Sequence, residues 1–196
     1  MQTVFPTSYF GNLEYFKLLC RERNPHIEIK EHFIKQTIRS RCIILGANGA
    51  LTLSVPVIKP LGSKTPMDQI LVSDDTSWKK EHWRSIHSAY AASPYFEHYE
   101  MDIKSLIFSE YKYLIDINTA ITNSIIKWLS LPIQFQFTTT FETHYEKDFR
   151  LYDFEKCEKI LPYIQVFPSY NSCHSSLSIL DLLFCEGPLS RNWIIS

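Results

Sequence analysis

Glycine is scarce in this chain, with five residues among 196, and none is spaced as a GxGxxG fingerprint or a Walker loop. The common glycine-rich cradles for phosphate are therefore excluded. Cysteine is also sparse: Cys20, Cys42, Cys157, Cys173 and Cys185 are odd in number and include no CxxC pair. That argues against a disulfide framework or a zinc site and for reduced thiols. No His/Cys/Asp/Glu group has metal-ligand spacing, so no metal is expected, and no motif names a cofactor. No apolar run approaches the ~20 residues that cross a bilayer. The start, Met1-Gln2-Thr3-Val4-Phe5-Pro6, lacks the basic region and apolar stretch of a secretory signal. Charge of one sign is missing too: a net charge of −1 excludes bulk nucleic-acid binding, which needs a basic excess. There is no internal repeat, coiled coil or low-complexity tract. The expectation is a soluble, cytoplasmic protein with no membrane span; homo-oligomerisation stays open.

What is present is an ordinary globular composition, 45% hydrophobic and 21% charged, in one expected domain over residues 1–196. Thr3 to Phe5 reads as a buried strand ended by Pro6, and Asn12 caps a helix from Leu13 to Arg21. His26 to Lys30 alternates as a half-exposed strand. Cys42 to Leu45 and Leu51 to Val57 form a hairpin around Gly46-Ala47-Asn48-Gly49, since Asn-Gly between apolar runs is a strong turn signal. A short strand, Gln69 to Val72, leads to a helix from Trp78 with a stripe of Trp78, His82, Trp83, Ile86 and Tyr90. Helices around Met101 to Ile115 and Asn118 to Leu129 follow. Ile133, Phe135 and Phe137 alternate as a strand with one wet face. Glu142 to Leu161 is polar and irregular, Tyr163 to Phe167 precedes a loop, and Leu177 to Phe184 is a last apolar helix. The predicted class is α/β, with mixed α+β open: a mixed sheet from N-terminal and C-terminal strands, and a helical middle section.

The stretch richest in chemistry is Glu31-His32-Phe33-Ile34-Lys35-Gln36-Thr37-Ile38-Arg39-Ser40-Arg41. If it is extended, Lys35, Arg39 and Arg41 point one way and Ile34, Ile38 and Cys42 the other. Such a cationic rail, with Gln36 donating to a neutral oxygen, suits an anionic small-molecule substrate bearing phosphate or carboxylate. The competing reading is a solvated charged face, with Glu28 and Glu31 as partners. Histidine is the side chain suited to proton transfer near neutral pH, so His32 could act with Glu31 as an acid/base pair if both face one cavity. A structural hydrogen bond is the alternative for His32. His82 is a second proton-transfer candidate, or a satisfied core histidine. Tyr9 and Glu14 lie where a helix N-terminus could meet an anion, although the charge of Glu14 opposes one. Tyr95 and Glu97 flank the turn after Pro94, and Tyr95 to Tyr99 forms an aromatic knot. For these aromatics, packing competes with ligand contact.

From Phe5 to about Pro188 the chain resembles the WbqC family of bacteria, in the form found in the Bacteroides group. The resemblance is carried by Pro6-Thr7-Ser8-Tyr9-Phe10-Gly11-Asn12-Leu13-Glu14-Tyr15, by Glu31-His32-Phe33-Ile34-Lys35-Gln36, and by Arg39 with Arg41-Cys42. Further blocks are Leu53-Ser54-Val55-Pro56-Val57, Trp78 with His82-Trp83, and Ser93-Pro94-Tyr95-Phe96-Glu97. Asp148-Phe149-Arg150, Tyr163 to Phe167, and Leu177 to Phe184 with Gly187-Pro188 complete the match. The resemblance implies an intracellular protein of surface-polysaccharide (O-antigen type) synthesis. It adds Arg150 to the substrate-binding candidates. The reading that follows is a transferase acting on an anionic metabolite, with acyl or aminoacyl transfer to a nucleotide-linked amino sugar as its sharpest form. A non-catalytic binding or scaffold protein, with Tyr95 to Tyr99 as its contact patch, is the alternative. One departure stands out: typical members have Gln before the first proline, where this chain has Phe5.

Overall fold

A computed structural model describes residues 2–154, 156, 163–167 and 176–195. Cys157, Cys173, and positions 155 and 157–161 of the expected irregular stretch lie outside the described residues. Cys20, Cys42 and Cys185 are free thiols.

The chain opens with β1 (Thr3–Pro6), α1 (Leu13–Arg21) and β2 (Pro25–Glu28), a βαβ unit whose strands pair in parallel from Thr3↔Pro25 to Pro6↔Glu28. Two strands from much later in the chain complete the sheet. β7 (Gln136–Phe137) runs parallel to β2, and β8 (Lys147–Asp148) runs parallel to β1, giving the order β7-β2-β1-β8. N-terminal and C-terminal strands thus share one sheet, as the α/β reading expects. All of its strands run the same way, so every carboxyl end lies along one edge. Among the described residues, antiparallel strands pair in two ribbons, β3 (Arg41–Gly46) with β4 (Gly49–Ser54), and β5 (Val57–Ile58) with β6 (Leu71–Val72).

Between the two halves of the sheet lies the helical middle: α2 (Ser77–Tyr90), α3 (Phe96–Phe108) and α4 (Leu114–Trp128). After it come α5 (Ile179–Glu186) and α6 (Ser190–Ile195), with α6 packed on α1 and α5 on α3 and β3. α1 forms where expected because Asn12 caps it, its side chain accepting from the Tyr15 N–H at 2.9 Å. The middle helices start earlier than their sequence pattern suggests. Phe96 opens α3 and is buried with Tyr99, so the aromatic knot is a helical turn facing the core, not an exposed contact patch. Leu114 opens α4 rather than closing α3, its N–H donating to the Ile70 carbonyl at 2.9 Å.

Other boundaries shift for local reasons. The two-residue hairpin loop is Ala47-Asn48, and Gly49 follows at φ +108° paired with Gly46. Leu51 shares the face of Leu53 but lies 43% exposed. The expected 69–72 strand is shortened by a 3-10 turn over Met67–Gln69. β2 is not half-exposed: it sits between β1 and β7, and both Ile27 and Glu28 are buried. Of the 133–137 alternation only β7 forms a strand, while Ile133 packs into the core.

Candidate functional site

A parallel sheet presents its ligand site beyond the carboxyl ends of its strands. Here that edge carries Glu28 at the end of β2, Asp148 at the end of β8 with Arg150 just past it, and Thr138 just past β7. Glu28 and Arg150 are buried while Asp148 is partly open to solvent, and buried charges persist only when paired and hydrogen-bonded. Glu28 accepts from Thr138 Oγ1 at 2.7 Å, from the Lys30 N–H at 2.7 Å and from the Tyr145 hydroxyl at 3.1 Å. Arg150 lies 3.7 Å from Glu28 and forks onto Asp148, with Nε–Oδ1 at 2.9 Å and Nη2–Oδ2 at 2.5 Å. It also donates to the carbonyls of Glu142 and Thr143 at 3.0 and 3.3 Å, and its guanidinium lies 4.8 Å from the Tyr145 ring centroid and 5.2 Å from that of Phe141. Burial works to raise the Asp148 carboxyl, but the Arg150 hydrogen bonds outweigh it and hold the group below its ordinary range.

The 31–41 stretch feeds this cluster, but not as a rail. It is a run of turns rather than a strand, and Gln36 sits in the left-handed region at φ +57°. Strict alternation therefore fails, and Ile38 and Arg39 both turn inward. Arg39 is only 1% exposed and meets Glu31 through Nε at 2.8 Å and Nη2 at 2.6 Å. Nη2 also donates to the Arg150 carbonyl at 2.9 Å, Nη1 donates to Thr37 Oγ1 at 3.3 Å, and the Arg39 carbonyl accepts from Asn118 Nδ2 at 2.8 Å. Three hydrogen bonds to protein and the ion pair with Glu31 thus hold its guanidinium in place. Burial pushes the Glu31 carboxyl up, Arg39 pulls it back, and nearby Glu28 adds to the rise.

Beside Arg39 opens a cleft of about 270 Å³ at the end of β1. Its lining takes Ile34, Gln36, Thr37, Ile38, Arg39 and Arg41 from the 31–41 stretch, Pro6 from β1, and Arg150 with the turn Leu151 to Phe154, which includes Asp153. Of the predicted substrate-binding residues, Gln36, Arg39, Arg41 and Arg150 come together here.

The rest do not line the cleft. Lys35 is exposed beside Lys59, whose amine it holds below its usual range through a direct side-chain contact. Glu31 sits behind Arg39. His32 is exposed and bridges Pro66 through the backbone, so it and Glu31 do not face one cavity. Glu14 is buried in the first turn of α1. Tyr95 packs against Gly187, where an added Cβ would collide with its ring, and its N–H donates to the Phe184 carbonyl at 3.0 Å. His82 and Tyr9 form a buried pair, Nδ1 to hydroxyl 2.9 Å apart. Burial pushes the His82 imidazole down to about 4, against a weaker opposing bond to the Ser54 backbone. The same burial raises the Tyr9 hydroxyl.

Sequence reasoning missed Glu28, Thr138 and Tyr145 as members of the cluster, and the 151–154 turn as a cleft wall. One signal was available: Asp148 and Arg150 are two apart, which places them on one side of an extended segment. Phe5, where the resemblance puts glutamine, stacks on Phe149 at 4.6 Å inside the core, and its neighbour Pro6 is the residue that reaches the cleft.

The fold and the cleft define an α/β protein with a ligand-sized opening at the carboxyl edge of a parallel sheet. The profile of the WbqC-like protein family matches residues 7–165, and the chain belongs to that family. None of the curated proteins and none of the solved structures compared with the chain matches it. Among the described residues, no three His, Cys, Asp or Glu side chains converge as metal ligands, and no helix is long and apolar enough to cross a membrane.

Proposed function

We propose that the cleft binds an anionic metabolite, through phosphate or carboxylate, and that the protein serves as a transferase in surface-polysaccharide assembly. Acyl or aminoacyl transfer to a nucleotide-linked amino sugar is the sharpest form of this reading. The observation that carries it is the convergence of Gln36, Arg39 and Arg41 on the lining of a concave opening beside the end of β1. Arg39, held by Glu31, supplies a rigid part of the lining. Arg41 and Gln36 supply the ligand contacts. Titration calorimetry against a panel of sugar nucleotides and acyl-donor metabolites tests the reading. A binder whose affinity falls at least tenfold in Arg41→Ala supports it, and a panel with no binder removes it.

One observation favours the second reading, a binding protein without catalysis: neither His32 nor His82 lines the cleft. Turnover of a bound sugar nucleotide with an acyl donor separates the two, since a binding protein returns both unchanged.

A further inference from the structure

The 151–154 turn that lines the cleft is tied into an aromatic structure. Five rings close on one another in a belt. Tyr15 meets Phe5 at 6.1 Å, Phe5 stacks on Phe149 at 4.6 Å, and Phe149 meets Tyr152 at 5.7 Å. Tyr152 meets Phe154 at 4.9 Å, and Phe154 returns to Tyr15 at 5.4 Å. Offset and edge-on contacts of this kind hold each ring in a fixed orientation. Tyr15 and Phe5 are buried, with the Tyr15 hydroxyl donating to the Pro6 carbonyl at 3.0 Å. Tyr152 is where the belt surfaces: it is 36% exposed and lines the cleft.

The backbone carrying Tyr152 is pinned at both ends by side chains from the first forty residues. Arg39 Nη2 donates to the Arg150 carbonyl at 2.9 Å, and Asn12 Nδ2 donates to the Phe154 carbonyl. Within the turn, the Tyr152 N–H donates to the Phe149 carbonyl at 3.2 Å. A tyrosine on a plain surface loop has no such support. Here the ring is a preorganised platform, so a ligand stacking on it gives up little ordering free energy in the wall. The same cleft is lined by the hydrogen-bonding groups of Gln36, Thr37 and Arg41.

We infer that the ligand is a flat ring bearing an anionic group, of single-ring size, with the ring on Tyr152 and the anion on the Gln36–Arg41 wall. The volume of about 270 Å³ fits one ring with one phosphate or carboxylate and does not enclose a dinucleotide. This deepens the anion-binding reading above and rests on it.

The test compares phenyl phosphate with methyl phosphate, probes that share the anion and differ in the ring. The intact chain and the variants Tyr152→Ala and Tyr152→Phe are titrated, with thermal melts confirming that each is folded. Phenyl phosphate is expected to bind about tenfold more tightly than methyl phosphate, the low end of what ring stacking contributes. Tyr152→Ala is expected to erase that difference while leaving methyl phosphate unchanged, and Tyr152→Phe to keep it. Equal affinities in the intact chain overturn the ring platform and leave the anion site standing. A ring preference that survives Tyr152→Ala overturns the assignment to Tyr152. Failure of both phosphates to bind overturns the anion site and the inference together.

Discussion

Two regions of this protein bury polar side chains, and they do so by opposite means. At the carboxyl edge of the sheet, three carboxylates (Glu28, Glu31, Asp148) face two guanidiniums (Arg39, Arg150), so charge is answered with charge. Around α2 and α5 the partners are neutral. The Asp181 carboxylate accepts from the hydroxyls of Tyr90 at 2.9 Å and Tyr163 at 2.5 Å and from Gln165 Nε2 at 2.7 Å, and His82 meets Tyr9. The cleft lies against the first region. The full charges of that cluster nearly cancel, with one acid in excess, so any attraction for an anion has to come from outside it, from Arg41 on the cleft lining, while the hydrogen-bonded interior is locally closed. The contrast separates polar groups that organise a site from polar groups that only join elements.

The sharpest way to break the comparison is to remove one partner from the charged region. Arg39→Ala leaves Glu31 buried without its counter-ion and is expected to destabilise the fold by about 3–5 kcal/mol. Replacing the pair together, Glu31→Leu with Arg39→Met, is expected to recover most of that loss, because well-packed apolar residues often substitute for a buried ion pair. Urea unfolding of the single and double variants checks both. A mild Arg39→Ala would mean that the pair is solvated and the two regions are alike.

The neutral region responds to pH instead. The unfolded His82 takes a proton near 6.5, whereas the folded residue takes one near 4. Between those values the unfolded state binds more protons, so stability falls as pH drops from 6.5 to 4 and then levels off for this group. The span corresponds to about 3 kcal/mol, and it should vanish in His82→Phe when melts are followed across that window. Asp181→Asn comes next in size. It turns an amide N–H₂ toward hydroxyl and amide donors and is expected to cost about 2 kcal/mol in urea unfolding. A neutral result would show that Tyr90, Tyr163 and Gln165 re-pair with ease.

The two regions also differ in how legible they were from sequence. His82 could be read as a core histidine because it lies on the apolar stripe of α2, a pattern set by local spacing. Residues 31–41 could be recognised as important by composition, yet their geometry was misread. The inward turn of Arg39 depends on an acceptor 111 positions away, the Arg150 carbonyl, and no local pattern reports such a partner. The outer strands were hidden for a related reason. β7 and β8 are two residues each and exist because β2 and β1 offer them edges to pair with. α1, by contrast, was recovered with its cap, since Asn12 and the spacing of Leu13, Phe16 and Leu19 are written in consecutive residues.

The smallest expected change in stability tests the functional side of the contrast. Arg41 is half-buried on the cleft wall. Arg41→Ala is expected to shift unfolding by about 0.5 kcal/mol or less if its principal role is toward ligand, as is usual for residues outside the core. Its effect on anion affinity should be at least tenfold, because a guanidinium fork on phosphate or carboxylate is among the stronger single contacts available. Arg41→Lys keeps the charge but loses the fork, so it should recover only part of the affinity. Arg39 is expected to behave in the opposite sense, with a large loss of stability. If Arg41→Ala instead unfolds the protein as Arg39→Ala does, both arginines belong to the internal lattice. The anion reading would then have to be abandoned.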